Sequence, residues 1–409
     1  EVWTEGGVNL DQPPDEAGAN AVVVRGDNLY LKRIGQKNHL EVTGRPAHVE
    51  MNDLKVDGAH VCLDQPTGVA WVEGKGMMVL PCDTSFDGKK LNSPSELTIT
   101  WGSNMVFTGD SAEFGGGVEA QQGTNRLRCQ RLEAFLTERL DISAPRKKDQ
   151  GAAKIEKLIC TDAVALDNIE FRGDRLEKYD HLESRQLEVV NSTGQMTAQG
   201  PGIARSYTRG SANIMAPQPG AGVARPVAAQ KPPKANDDQL LLTEVHFTDR
   251  MEADRTNQIA KFFGHIEVIR APVADEKELI DPDKLPPSSM RLSCETLEMA
   301  TKKGPGDKPY NIMLGEGNVD IEADVFSGRG DRVSYNQLHE RIIFESRTGS
   351  YATLYRQTRR GERPDVTRAF KIYYNLRTGE VKVEGGIEVD LQEREADRKN
   401  MAKPPAKKL

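Results

Sequence analysis

Apolar and polar residues alternate along much of this chain. Between residues 97 and 107, Leu97, Ile99, Trp101, Met105 and Phe107 share one parity, while Glu96, Thr98, Thr100, Asn104 and Thr108 mostly fill the other. Such period-2 alternation is the mark of a strand with one buried face. The same holds near the end, where Val381, Val383, Ile387, Val389 and Leu391 oppose Glu380, Lys382, Glu384, Glu388 and Asp390. Shorter pieces pair Leu40 with Val42, Val49 with Met51, Leu54 with Val56, Ile312 with Leu314 and Ile342 with Phe344. Turn signals separate them every ~8 to 12 residues, the spacing of an all-β array. Helix signals are few and weak, and roughly 25 to 30 short antiparallel strands are expected.

A seven-residue phrase recurs inside this pattern: a hydrophobic residue, any residue, Gly, any residue, Val or Ile, a polar residue, then an apolar one. It occurs at Thr4 to Leu10, Phe114 to Ala120, Phe262 to Val268, Gly315 to Ile321 and Val383 to Val389. Five loose copies predict a repeat architecture. Because the glycines sit within strand patterns, they are read as bulges or tight bends rather than as a phosphate loop. A second phrase, Gly-Asp, occurs at Gly26-Asp27, Gly109-Asp110, Gly173-Asp174 and Gly330-Asp331. Both residue types suit tight turns, so each Gly-Asp is expected to reverse the chain between two strands.

The 409 residues carry 29% charged and 6% aromatic side chains and a formal charge of −7, so no global basic field suggests nucleic acid. No run of about 18 apolar residues occurs that could span a membrane as a helix. Because the chain begins at Glu1 inside a copy of the repeat, it is read as a fragment of a longer or processed protein. Five cysteines, Cys62, Cys82, Cys129, Cys160 and Cys294, form no Cys-x-x-Cys pair. Cys129 and Cys294 occupy matching contexts, Cys-Gln-Arg-Leu-Glu and Cys-Glu-Thr-Leu-Glu, which predicts a small buried core position repeated in two units. Buried free thiols are expected over a disulfide or metal framework.

The Pro- and Ala-rich stretch 216–236 has too little apolar content to order itself and reads as a linker or long loop. It separates residues 1–215 from residues 237–392, the latter holding an acidic, Pro-rich insert at 271–289. Residues 393–409 form a charged tail.

Strands carrying Gly-x-Val-x-apolar, followed by a phrase such as Gly330-Asp331-Arg332-Val333-Ser334-Tyr335, resemble the OstA-like superfamily. That superfamily includes periplasmic lipopolysaccharide-transport proteins and the N-terminal domain of the outer-membrane lipopolysaccharide-assembly protein. Residues 310–391 match best and 1–130 next; 155–205 and 240–300 match more loosely. The chain departs from compact members in its length and long inserts. The resemblance implies a β-taco, or β-jellyroll, in which two sheets fold over an apolar trough. It also implies lipid or glycolipid binding or transport in the periplasm or at the inner face of the outer membrane.

If that holds, the trough lining is expected among Trp71, Trp101, Met105, Phe107, Phe114, Phe171, Phe247, Phe262, Phe326 and Phe344, which lie in or beside alternating segments. Ordinary sandwich core is the competing reading of each. Arg356, Arg359, Arg360 and Arg363 form a basic cluster that could grip a head-group phosphate, or simply be a solvated hairpin loop. The seven histidines show neither His-Glu-x-x-His nor familiar metal spacing from a cysteine, and no Gly-x-Ser-x-Gly occurs. No enzyme activity, cofactor or metal is therefore expected, and calcium at the Gly-Asp turns is disfavoured because tandem ligands are missing.

The expectation is thus two all-β OstA-like segments that bind a lipid or glycolipid such as lipopolysaccharide, with exposed strand edges open to pairing with like proteins or with a second copy. The rival class is a structural or adhesive β-solenoid whose interior is dry and packed. A β-helical carbohydrate-active enzyme is disfavoured by the mixed Glu and Lys outer faces.

Overall fold

The computed structural model describes residues 1–12, 22–35, 37–51, 54–84, 90–139, 154–209, 239–347, 349–357 and 363–390. Strand accounts for 77% of the structure and helix for 1%. The first strands are β1 (Val2–Gln12), β2 (Val22–Ile34), β3 (Lys37–Met51), β4 (Leu54–Asp64), β5 (Val69–Thr84), β6 (Lys90–Trp101), β7 (Asn104–Phe107) and β8 (Ser111–Gln122). They continue as β9 (Asn125–Leu136), β10 (Ile155–Arg172), β11 (Arg175–Val190), β12 (Gln195–Gln199), β13 (Gly202–Arg209), β14 (Leu240–Phe247), β15 (Arg250–Asp254) and β16 (Ile259–Val273). The last are β17 (Met290–Lys303), β18 (Pro309–Ala323), β19 (Phe326–Asn336), β20 (Arg341–Glu345), β21 (Ala352–Arg356), β22 (Asp365–Asn375) and β23 (Val381–Asp390). The ladders are antiparallel, and the expected all-β repetitive fold is what the chain forms.

The repeated phrase is where long strands bend. Strands such as β3, with 15 residues, and β10, with 18, far exceed the usual length of about 5 to 6. Register shifts fall between Glu5 and Val8, Gly115 and Val118, Phe263 and Ile266, and Glu316 and Val319, each inside one copy of the phrase. An extra residue there forms a bulge that kinks the strand. Gly6, Gly116, Gly264, Gly317 and Gly385 take φ between +63° and +93°, a region that glycine alone enters cheaply. In β10, which lacks the phrase, Asp162 and Ala163 take φ of 60° and 51° at a shift between Thr161 and Val164. Each long strand thereby contributes one half to each of two arms, and alternation on both sides of the bulge keeps apolar side chains inward.

The chain forms two compact units, Glu1–Ser206 with Phe247–Gln258, and Tyr207–His246 with Ile259–Leu409. In the first, a ladder of directly opposed residues crosses one arm: Leu29, Val42, Val61, Val72, Met105, Phe114, Leu132, Cys160, Leu187, Ala198 and Met251. All are buried. The other arm answers with Val24, Val49, Val56, Met78, Ile99, Ala120, Leu127, Leu166 and Leu182. In the second unit the two rows are Val245, Val268, Leu292, Ile321, Gly328, Leu354 and Thr367, and Phe262, Leu297, Gly315, Val333, Phe344 and Ile372. Burial of an inward Val, Leu or Phe contributes about 1.5 to 3 kcal/mol.

Several expectations change in detail. Gly109-Asp110 and Gly173-Asp174 do reverse the chain, but Gly26-Asp27 and Gly330-Asp331 lie inside β2 and β19. A Cβ at Gly26 would stand 2.6 Å from the Thr43 carbonyl oxygen and one at Gly330 2.8 Å from that of Glu345, so these glycines serve close backbone approach. Among the described residues there are 23 strands, several of them long because they bend where an ending was expected. The single alternating run 97–107 is interrupted at Gly102 and Ser103, with Trp101 in one arm and Met105 in the other; both flanks still pair with β5. Residues 247–258 join the first unit rather than the second. The linker 216–236 and the tail 393–409 lie outside the described residues, whereas most of the acidic insert is the loop joining β16 to β17.

Candidate functional site

The inner surface between the arms is the candidate site, and it is set by strand parity. Trp101, Met105, Phe114, Phe247, Phe262, Phe326 and Phe344 are all at most 4% exposed. Within each unit aromatic rings reach from one arm to the other: the Trp101 and Phe114 centroids lie 5.4 Å apart, and those of Phe326 and Tyr374 5.3 Å apart. At Gly328 the Phe344 ring fills the space a side chain would need, 2.3 Å from an added Cβ. Trp101 also donates its indole N–H to the Gly74 carbonyl at 3.1 Å, which satisfies its polar end.

Three candidates sit less deeply. Phe107 is half-buried and shares the inner face with Met105. Trp71 lies on the outer face, beside Cys62 and Glu73, because its neighbours Ala70 and Val72 take the inward positions. Phe171, 54% exposed, stands at the hairpin end of β10. A residue absent from the sequence reading is Arg270, which shares a face with Val268 and Ile266 in the second unit. Burial lowers its pKa to about 10, while Tyr335 pulls the other way.

Of the basic cluster, Arg356 is built into the sheet. Arg356 donates to Asp365 Oδ2 at 3.0 Å and to the Gly379 carbonyl at 2.6 Å, so it ties β21 to β22 and the following turn. Arg363 is exposed, and Arg359 and Arg360 fall outside the described residues. On the outer face of β18–β20 a shallow concavity of about 340 Å³ is lined by Ile312, Leu314 and Ile343 with Glu298, Arg332 and Arg341.

The five cysteines are buried and none is in a disulfide. Cys129 faces Val118 and Cys294 faces Ile266, so both stand opposite the bulge of a repeated phrase, as their matching contexts predicted.

The outer face of the first unit gathers a second polar constellation across β3, β4 and β5. His39 Nε2 lies 2.7 Å from Glu41 Oε1 and its Nδ1 2.9 Å from Asp64 Oδ1. His60 Nδ1 lies 3.3 Å from Glu73 Oε2, and its Nε2 3.5 Å from Glu41 Oε2. The Cys62 Sγ stands 3.8 Å from His39 Nε2. The hydrogen bond to Glu41 is the main cause of a raised His39 pKa, and burial pushes the Cys62 thiol up to about 12.

The fold and its inner face define a repetitive all-β stack of bent strands with an apolar interior. Neither a protein-family model nor a curated protein matches the sequence.

Proposed function

We propose that this chain binds or passes a lipid or glycolipid along the apolar surface between its arms, in the manner of the OstA-like lipopolysaccharide-transport proteins it resembles, within a bacterial cell envelope. The observation that carries the reading is the pair of inward rows in each unit, apolar from rung to rung in the first and, in the second, apolar except for Thr367 and the side-chain-free Gly315 and Gly328. The residues of these rows carry no charge that acyl chains would have to desolvate, and each buried CH₂ contributes about 0.8 kcal/mol. Arg270, inward and half-buried, supplies one cation suited to an anionic head group. The reading needs no catalytic residue. Because the inner aromatic side chains touch one another, acyl chains enter only when the arms part.

A specific observation favours the rival scaffold reading, namely the Phe344 ring seated against Gly328, which fills that rung with a side chain. The two separate in native mass spectrometry of protein extracted from a bacterial envelope. Carriage predicts a co-purifying amphiphile of defined mass and displacement of a bound lipophilic dye. Protein that arrives lipid-free and leaves the dye unbound supports the scaffold instead.

A further inference from the structure

The geometry points to a metal site on the outer face of the first unit, in which His39, Glu41 and Cys62 bind a divalent transition cation of the zinc class. Their donor atoms all lie within 4.8 Å of one another. Tetrahedral zinc with bonds of about 2.0 to 2.3 Å holds neighbouring donors about 3.3 to 3.7 Å apart, so only small side-chain rotations separate these atoms from a coordination shell.

Strand parity builds the group. His39 and Glu41 are two residues apart on β3, as are His60 and Cys62 on β4, so each pair shares a face, and Glu41 directly opposes Cys62. That face is the outer one, since Val42 and Val61 point inward. Cys62 is nevertheless 0% exposed. The His39 ring packs 6.3 Å from that of Trp71, which opposes Cys62 on β5. A soft sulfur donor thus lies in a shielded spot beside an imidazole and a carboxylate, the mixed set that zinc favours over calcium or magnesium.

Three further features fit a cation. His39 has a carboxylate at each ring nitrogen, yet a neutral imidazole has only one N–H to donate. Asp64, which also accepts from the Thr67 hydroxyl, holds Nδ1 and leaves Nε2 facing Glu41 and Cys62, the outer-shell arrangement common for ligating histidines. His60 Nε2, beside the second oxygen of Glu41, is buried without a hydrogen-bond partner. His48 is likewise bracketed, by Asp57 at 2.6 Å and Glu50 at 3.7 Å, but it belongs to no cluster with a thiol and serves as the internal control.

The test is titration of the chelator-stripped full chain with zinc chloride, followed by calorimetry, and with cobalt(II), followed by its absorption spectrum. The expected result is one zinc per chain, weakened at least tenfold by Cys62→Ser, His39→Gln and Glu41→Gln and unchanged by His48→Gln. Cobalt(II) should show a thiolate-to-metal charge-transfer band that Cys62→Ser abolishes. Far-ultraviolet circular dichroism identifies folded variants, and the Glu41→Gln exchange, at a half-exposed position, keeps the shape of the site. Absence of saturable zinc binding overturns the site. So does binding that survives all three substitutions, or that His48→Gln weakens equally.

Discussion

At the scale of single residues, the backbone conformation of a few glycines decides whether the strands can bend. Gly116 combines φ of +85° with a Ser103 side chain 2.5 Å from where a Cβ would be. Gly116→Ala is expected to lower unfolding free energy by about 1 to 3 kcal/mol, measured by denaturant titration. Gly117, with φ of +82° but open space around it, should be the milder site for the same exchange. A second residue-scale effect concerns pH. His181 Nδ1 lies 2.6 Å from Asp167 Oδ1, and that hydrogen bond is the main cause of a His181 pKa above 6.5. Burial alone would raise Asp167, but the hydrogen bonds from His181 and Tyr179 outweigh it and hold its pKa below 3.8. The His181 contribution is therefore complete below its unfolded pKa of about 6.5 and is lost as pH rises through the higher folded value. The Asp167 contribution is present above its unfolded pKa and is lost as pH falls through the lower folded value. His181→Gln should destabilise the protein most below about pH 6.5 and progressively less as pH rises through the higher folded value, read as the difference in Tm from wild type. A difference independent of pH would contradict the pairing.

At the scale of strands, the inner ladders carry the packing. Phe344→Ala removes a 0%-exposed ring from between the arms and is expected to cost about 3 to 5 kcal/mol by chemical denaturation. Phe171→Ala, at a site 54% exposed, should stay within about 0.5 kcal/mol. Much of this element level was legible in the sequence. Alternation located the strands, and the Gly-x-Val phrase located the bulges, because both are local consequences of side-chain parity and backbone sterics. Bends could not be told from strand ends, since Gly26-Asp27 in β2 and Gly173-Asp174 at a hairpin present the same two residues. Trp71 looked like lining because its size and setting matched Trp101, but parity counted from Val72 places it outward. The His39, Glu41 and Cys62 group follows neither helical nor finger-type spacing. On strands the informative signal is a donor at i and i+2, as in His39-x-Glu41 and His60-x-Cys62, combined with a pairing register that sequence alone does not supply.

At the scale of the whole molecule, charge and apolar surface are sorted by face. Cross-strand ion pairs such as Lys157 with Glu188, Arg291 with Glu267 and Lys371 with Glu345 occupy outward positions. Each contributes little alone, yet together they keep a strongly β, net-acidic chain compatible with water on its outer faces. The inner faces are left to apolar contact. The central claim is that this inner surface takes up acyl chains. Its most direct test places a photo-crosslinking amino acid at position 344, inward, or at position 329, where the Arg329 side chain is 72% exposed, in cells that carry the full protein. The account predicts a lipid adduct at position 344 and none at position 329. Absence of any adduct at position 344, or equal labelling at both, would contradict it.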